Sequence, residues 1–176
     1  LFVLLFLQHG ANWLVIKTTG ELQERAVSVS KIIWLILVPV AVIFLLASYF
    51  ATDLYANYFD MPAFFIVILV TVIALLSMRS FIAKQKVWKA WFASALTIVG
   101  ATFFGVIGLF PALFPSSIDN AFSLTAFNAS SSPLTLKIML GVVIVFIPLV
   151  LIYQTVAFNM FKNPVTEEDL DAPNAY

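Results

Sequence analysis

The 176-residue sequence contains no cysteine and only one histidine, His9. Without cysteine, disulfides, iron–sulfur clusters and thiolate zinc sites are excluded for these residues. Charge is scarce as well, because only 10% of the residues are charged and nine basic residues balance nine acidic ones. A net charge of zero argues against a nucleic-acid partner, which needs a basic face to neutralise phosphates.

Apolar residues dominate what is present. They make up 62% of the sequence, and the mean hydropathy is +1.05. A soluble protein of this size would need more charged side chains to cover its surface. The composition therefore predicts an all-α, polytopic transmembrane protein. Its first residues, "LFVLLFL", have no initiator methionine and no charged region before them, unlike a signal peptide. We therefore expect a C-terminal part of a longer subunit.

The hydropathy pattern predicts about five spanning helices and a short polar tail. The spans are expected at residues 1–17, 31–52, 62–79, 88–110 and 133–161, with the tail at 162–176. The last span exceeds one bilayer thickness, so we expect it to tilt or protrude. Pro39 and Pro148 lie inside spans, where neighbouring helices can satisfy the freed carbonyl groups.

Basic residues predict the orientation of the spans. The connections 53–61 and 111–132 contain no lysine or arginine. Eight of the nine basic residues fall on the other side: Lys17, Arg25, Lys31, Arg79, Lys84, Lys86, Lys89 and Lys162. The positive-inside rule makes that side cytoplasmic and places the C-terminus inside. All four tryptophans, Trp13, Trp34, Trp88 and Trp91, are expected at the same surface.

Two helix starts carry local signals. Ser132 followed by Pro133 is typical of an N-cap with proline at the first helical position. Thr18 stands three residues before Glu21, the spacing of a capping box, and Gly20 favours a break. We expect the first helix to end near Thr18 and a short amphipathic segment to lead into the second span.

His9 is the obvious candidate for a haem or metal ligand. A b-type haem usually takes two axial ligands, and no second histidine exists. A methionine would have to be the second axial ligand, and the sequence offers Met61, Met78, Met139 and Met160. The alternative, which we favour, is that His9, together with Gln8 and Asn12, hydrogen-bonds to a neighbouring helix or to backbone carbonyls.

Lys137 is the second polar candidate, since it is the one basic residue on the outer side. It lies in the second turn of the last span, where the helix dipole disfavours a cation. Such a side chain usually extends to the membrane surface or pairs with an anion. The anion would be Asp119, a carboxylate of a partner subunit or a haem propionate, and extension to the surface is favoured.

No acidic residue lies deep inside a predicted span, and no nucleotide-binding, metalloprotease or nucleophile motif is present. We therefore predict no catalytic, cofactor-binding or metal-binding residue. Small residues instead recur every four positions in the fourth span, at Ala93, Thr97, Ala101 and Gly105, with Gly100 and Gly108 beside them. This spacing lets another helix approach closely, either within the chain or from a partner subunit.

Three separated motifs resemble the C-terminal half of subunit II of cytochrome bd quinol oxidases. The pattern GA-x-x-L-x-x-K/R-T-x-G-x-x-Q-x-R fits Gly10, Ala11, Leu14, Lys17, Thr18, Gly20, Gln23 and Arg25. The segment Ser-Ser-x-Leu-Thr-Leu fits Ser131, Ser132, Leu134, Thr135 and Leu136, and the tail pattern fits Thr166, Glu168 and Asp169. The resemblance covers essentially the whole sequence in order.

The resemblance implies a complex in the bacterial inner membrane that oxidises quinol, reduces dioxygen to water and takes protons from the cytoplasm. Haem b and haem d are then expected in the partner, subunit I, and no haem is expected on this chain. The chain itself would support assembly, haem retention in the partner and proton uptake. The quinol substrate would be reached through the partner, and a quinone or lipid is a possible ligand of this chain besides the membrane lipids. No catalytic or haem-binding residue is carried over.

Two other functions stay open on the residues alone. Half of a secondary transporter or permease would show broken helices or polar groups at mid-membrane, for which Pro39 and Pro148 are weak signs. A plain anchor for a soluble partner would not need five well-patterned spans.

Overall fold

The structure is a computed structural model that describes residues 1–164 and residue 166. Within these residues the chain is almost entirely helical and divides into two compact units. The first unit contains residues 1–109, and the second is Phe110–Asn163. Of the predicted tail at 162–176, most residues, including Glu168 and Asp169, lie outside the described part of the chain.

The first unit is built from five α-helices. They are α1 (Phe2–Lys17), α2 (Gly20–Ala51), the short α3 (Ala56–Asp60), α4 (Phe65–Ala83) and α5 (Val87–Leu109). A 3₁₀ turn, Pro62–Phe64, precedes α4 directly. Helix α4 packs most extensively against α5, and α1 packs against both α2 and α5.

The second unit consists of a small hairpin and a long helix. Strand β1 (Ala112–Phe114) pairs antiparallel with β2 (Leu124–Thr125), and a 3₁₀ turn at Asn120–Phe122 lies between them. Helix α6 (Pro133–Met160) follows. Its first turn is capped as predicted, because the Ser132 hydroxyl accepts a hydrogen bond of 3.3 Å from the Thr135 backbone N–H, and Pro133 occupies the first helical position.

The all-α membrane architecture is confirmed. Four helical segments are long and apolar enough to cross a membrane: Gly20–Ala51, Pro62–Ala83, Val87–Leu109 and Pro133–Met160. The apolar helix α1 is shorter, with 16 residues. The predicted spans agree with these bounds except at two ends. The helix of the third predicted span continues to Ala83, beyond residue 79, and the helix of the second begins at Gly20, before residue 31.

The helix that carries the second predicted span begins before residue 31. Helix α2 runs without interruption from Gly20, so the expected amphipathic segment is simply its first third. Glu21 and Arg25 stand one turn apart and form an exposed ion pair of 2.6 Å. An ion pair at this spacing stabilises the helical conformation of this part of α2. Gly20 itself has φ 62°, a conformation that favours glycine.

The predicted capping box at Thr18 is wrong. The Thr18 hydroxyl donates to the Leu14 carbonyl at 2.7 Å and so completes the end of α1. The N-cap of α2 is Thr19. The spacing matched, but Thr18 is the C-cap of α1, and the residue at the N-cap of α2 is the next one along the chain.

Close helix packing forms the core of the first unit. The cluster joins α1, α2, α4 and α5 through Leu5, Leu37, Leu75, Met78, Ala90 and Ala93. The indole N–H of Trp34 donates to the Leu75 carbonyl at 2.8 Å, which ties α2 to α4. Gly100 of α5 lies directly against Thr71 of α4, where a methyl group would overlap the threonine side chain.

An aromatic cluster closes the end of the first unit that carries α3. Tyr58 is fully buried and donates a hydrogen bond of 3.0 Å to the Phe104 carbonyl. The Asn57 amide donates to the Ile107 carbonyl at 2.8 Å. Burial, together with the nearby Tyr55, raises the pKa of Tyr58 to about 12. Helix α3 is therefore held onto α5 by neutral side chains.

Candidate functional site

Three buried polar side chains meet where α1, α2 and α5 pack together. We call Gln8, Asn12 and Ser30 the polar cluster; their exposed fractions are 0%, 2% and 0%. Gln8 and Asn12 are four residues apart on α1, so they share one face of the helix. That face turns toward Ser30 of α2, because an unpaired amide in lipid costs more than one that meets a partner.

Hydrogen bonds connect the polar cluster almost completely. The Gln8 amide donates to Ser30 Oγ at 2.7 Å and to Asn12 Oδ1 at 3.2 Å. Ser30 in turn donates to Asn12 Oδ1 at 2.8 Å, and the Asn12 amide donates to the Ala90 carbonyl of α5 at 3.4 Å. One acceptor, Gln8 Oε1, is buried without a partner among the described residues. The cluster contains no titratable group, so its chemistry is to hold three helices together.

His9 lies beside the polar cluster but faces α5. Its Nδ1 is 2.8 Å from Ser94 Oγ, and its ring centroid is 4.9 Å from that of Trp91. The Ser94 hydroxyl gives its proton to the Trp91 carbonyl at 2.7 Å, so its oxygen accepts from an Nδ1–H. This contact requires a proton on Nδ1, and it joins α1 to α5.

The described residues contain no group of three or more histidine, cysteine, aspartate or glutamate side chains that could hold a metal ion. Met78 is fully buried in the apolar core. Three cavities open among residues 1–109, and neither His9 nor a methionine lines any of them. Whether His9 ligates a haem or a metal ion stays a prediction.

Tryptophans surround this end of the first unit. The rings of Trp13, Trp88 and Trp91 lie 5.7 to 6.3 Å apart, and the Lys17 ammonium stands 5.2 Å from the Trp13 ring. The Arg79 guanidinium lies 5.6 Å from the Trp34 ring. Amphipathic rings beside cations are typical of a membrane–water boundary. The polar cluster therefore lies near one surface of the membrane.

A cleft opens next to the polar cluster at the same surface. This polar cleft encloses about 540 Å³ between α1, α2 and the turn that joins α4 to α5. Polar residues on its wall are Asn12, Gln23, Glu24, Ser28, Lys31 and Gln85. Sequence reasoning missed the cleft because its residues come from three separate parts of the chain, and neither spacing nor hydropathy connects them.

The four small residues of α5 that recur every four positions, here called the ribbon, differ in how closely they are packed. Ala93 and Thr97 are buried inside the first unit, and Ala101 packs against its core cluster. Gly105 has no neighbouring heavy atom within 4 Å of the place a methyl group would take. The closest approaches are at the neighbouring glycines, Gly100 against Thr71 and Gly108 against Leu54. Whether the ribbon also meets a partner subunit stays a prediction.

Lys137 lies in α6 of the second unit, where none of the described residues is buried. The ion pair Arg25–Glu21 is the one found within residues 1–164 and 166, so Lys137 has no anionic partner there. Its pairing with a carboxylate or propionate stays a prediction.

Comparison with known proteins identifies the family. Residues 1–161 match the family described as cytochrome bd terminal oxidase subunit II. The protein named "Probable cytochrome oxidase subunit 2" of Haemophilus influenzae is 30% identical over 86% of this chain and 47% of its own length. "Cytochrome bd ubiquinol oxidase subunit 2" of Bacillus subtilis is 29% identical over 94% of this chain and 48% of its own length.

A third relative agrees over a shorter stretch. "Cytochrome bd-I ubiquinol oxidase subunit 2" of Escherichia coli is 32% identical over 57% of this chain and 26% of its own length. The chain thus spans about half the length of the first two relatives. The resemblance seen in the sequence motifs is confirmed, and the chain belongs to the cytochrome bd terminal oxidase subunit II family.

Proposed function

We propose that this chain is a haem-free part of a cytochrome bd-type quinol:oxygen oxidoreductase in the bacterial inner membrane. It packs against a haem-bearing subunit I, which carries haem b and haem d and oxidises the quinol. Its own role is to support assembly, to retain haem in the partner and to assist proton uptake. The chain contributes helices to the oxidase and no catalytic group, and its C-terminus lies in the cytoplasm.

The family match over residues 1–161 is the observation that carries this proposal. The side chains agree with a scaffold role, since Gln8, Asn12 and Ser30 of the polar cluster are amides and a hydroxyl that bond helix to helix. The ammonium and indole groups around Lys17, Trp13 and Trp88 support a cytoplasmic surface at this end.

The alternative of a secondary transporter half is disfavoured by the helices themselves. Transporter sites are typically built from broken helices near mid-membrane. Pro39 and Pro148 both lie within continuous helices here, α2 and α6. The family match disfavours a plain anchor in the same way.

Spectroscopy of the purified complex tests the proposal. The full-length chain is purified with its partner, and reduced-minus-oxidised spectra are recorded for the complex and for the isolated subunit. We expect haem b and haem d bands from the complex and none from the subunit alone. A colourless complex, or haem bands from the isolated subunit, would refute the proposal.

Substitution of His9 tests whether this chain ligates haem. We expect His9→Leu to leave the haem spectrum of the complex unchanged in band position, because His9 bonds to Ser94 and Trp91 of its own chain. Ser94→Ala is the matched control, since it removes the hydrogen bond and keeps the imidazole. A loss of one haem band with His9→Leu but not with Ser94→Ala would assign His9 as a ligand.

A further inference from the structure

Two side chains of opposite charge line the polar cleft. Glu24 and Lys31 both belong to α2 and stand seven residues apart, which places them on one face, about 10.5 Å apart along the axis. Both are exposed, and neither takes part in the ion pair found among the described residues, Arg25–Glu21. The cleft therefore presents a cation and an anion that are not neutralised by each other.

The order of these charges relative to the membrane is informative. The apolar part of α2 begins at Ile32, so Lys31 lies at the boundary of the hydrocarbon layer. Glu24 lies two turns farther toward the water. In an aminophospholipid the phosphate is nearer to the acyl chains and the ammonium group is farther out. The cleft thus offers a cation at the level of the phosphate and a carboxylate at the level of the amine.

The dimensions of the cleft agree with such a headgroup. A two-carbon spacer joins phosphate to amine, and a charge-assisted hydrogen bond of about 2.8 Å at each end extends this span toward the separation of the two side chains. The volume of about 540 Å³ lies within the usual range of ligand sites. Apolar walls for the glycerol and first methylene groups come from Val15, Val27, Ile82, Ala83, Val87 and Ala90.

Gln85 adds a neutral donor to the cleft. It occupies the turn between α4 and α5 with φ 53°, a conformation uncommon for residues other than glycine. Its backbone N–H closes the turn on the Ile82 carbonyl at 3.1 Å. Its side chain lines the cleft, where the amide can donate to a phosphate oxygen.

We propose that the polar cleft binds the headgroup of a zwitterionic aminophospholipid, with the phosphate at Lys31 and the ammonium at Glu24. Phosphatidylethanolamine is the probe of this chemistry. The site goes beyond the proposed oxidase function, because it assigns a lipid ligand to this chain's own residues whatever reaction the complex performs.

Lipid retention by the purified complex tests the site. The full-length chain in its complex is equilibrated with equal amounts of phosphatidylethanolamine and phosphatidylglycerol, and bound lipid is counted by native mass spectrometry. We expect the unmodified protein to retain phosphatidylethanolamine preferentially. Lys31→Gln should lower retention of both lipids about fivefold, the effect of one cation near the membrane surface. Glu24→Gln should abolish only the preference, because phosphatidylglycerol has no amine.

Glu21→Gln is the matched control, because it makes the same change on the same helix outside the cleft and breaks only the exposed pair with Arg25. It should leave the lipid ratio unchanged. Equal retention of the two lipids by the unmodified protein would overturn the proposal. So would a Glu24→Gln variant that behaves like Glu21→Gln.

A polypeptide segment is the competing occupant of the cleft. These 176 residues contain no cysteine, so Ser28→Cys introduces their one thiol, on the cleft wall. We expect a short bifunctional thiol–amine reagent to give no cross-link from this position to another polypeptide. A cross-link to the partner or to a distant segment of the subunit would overturn the lipid assignment.

Discussion

The contact between Gly100 and Thr71 should make α5 intolerant of a single methyl group at one position. An ideal Cβ added at Gly100 would stand 2.9 Å from Thr71 Cβ and overlap Thr71 Oγ1. Both atoms belong to a side chain that is fixed in place, because Thr71 Oγ1 donates to the Val67 carbonyl at 2.6 Å. Gly100→Ala should therefore force α4 and α5 apart.

The size of the effect follows from two opposing terms. Alanine in a helix interior is favoured over glycine by about 1 kcal/mol. Overpacking a tight contact costs about 1–3 kcal/mol. Gly105→Ala receives the same propensity gain on the same helix, and nothing lies within 4 Å of its new methyl group. The difference in unfolding free energy between the two variants therefore isolates the overlap, and we expect Gly100→Ala to be less stable by about 1–3 kcal/mol.

Unfolding of the purified full-length chain in mixtures of SDS and mild detergent measures this difference. A third variant, Thr71→Ala, removes the nearest atom and Cγ2, so combining it with Gly100→Ala should recover most of the loss. Equal stability of Gly100→Ala and Gly105→Ala would refute the close packing of α4 on α5. A double variant no better than Gly100→Ala would show that Thr71 is not the obstacle.

Three further predictions concern single side chains. Because the pKa of Tyr58 is raised to about 12, the unfolded chain loses the phenol proton at a lower pH than the folded chain does. The stability should therefore be unaffected below pH 10 and fall between about pH 10 and 12. Tyr58→Phe should flatten that fall when the thermal midpoint is measured against pH, and the same pH profile for the variant and the unmodified protein would contradict the prediction. Ser132→Ala should cost α6 about 1 kcal/mol of stability through its lost cap, whereas Ser131→Ala, which removes no cap, should cost nothing measurable by the same unfolding assay. Asn12→Leu leaves the Ser30 and Gln8 donors without their shared acceptor, and we expect the free energy of unfolding to fall by about 1–3 kcal/mol. Ser28→Ala, at an exposed position, is the control. Equal stability of the two variants would show that the polar cluster does not hold the helices together.

The spanning helices could be predicted because apolar runs of bilayer length have few other structures open to them. The start of α2 could not be predicted, because hydropathy distinguishes apolar from charged residues and does not distinguish a helix from a loop. Residues 20–31 are charged and helical at once. Ser132 was identified correctly since its acceptor role is local. Thr18 was misassigned because the spacing to Glu21 does not tell which of two adjacent threonines stands at the N-cap, and the structure places Thr19 there.

The site was only partly visible in the sequence. Gln8 and Asn12 were recognised as residues that bond to another helix, yet the partner, Ser30, lies 22 and 18 residues away on a helix whose rotation no pattern specifies. The spacing of small residues in α5 predicts close packing. It could not tell which of them is closest, and the tightest contact falls at Gly100 rather than at Gly105.

The unbroken course of α2 sets a mechanical relation between the membrane and the water beside it. Its 32 residues extend about 48 Å, while the hydrocarbon layer is about 30 Å thick. About 18 Å of α2, the part that precedes Lys31 and is called the post below, therefore extends beyond that layer as a continuous helix without a flexible joint. When a thinner or thicker bilayer changes the inclination of the spanning part, this post must swing with it. Bilayer thickness is thereby converted into a displacement on the aqueous side, where Glu24 and the rest of the post lie.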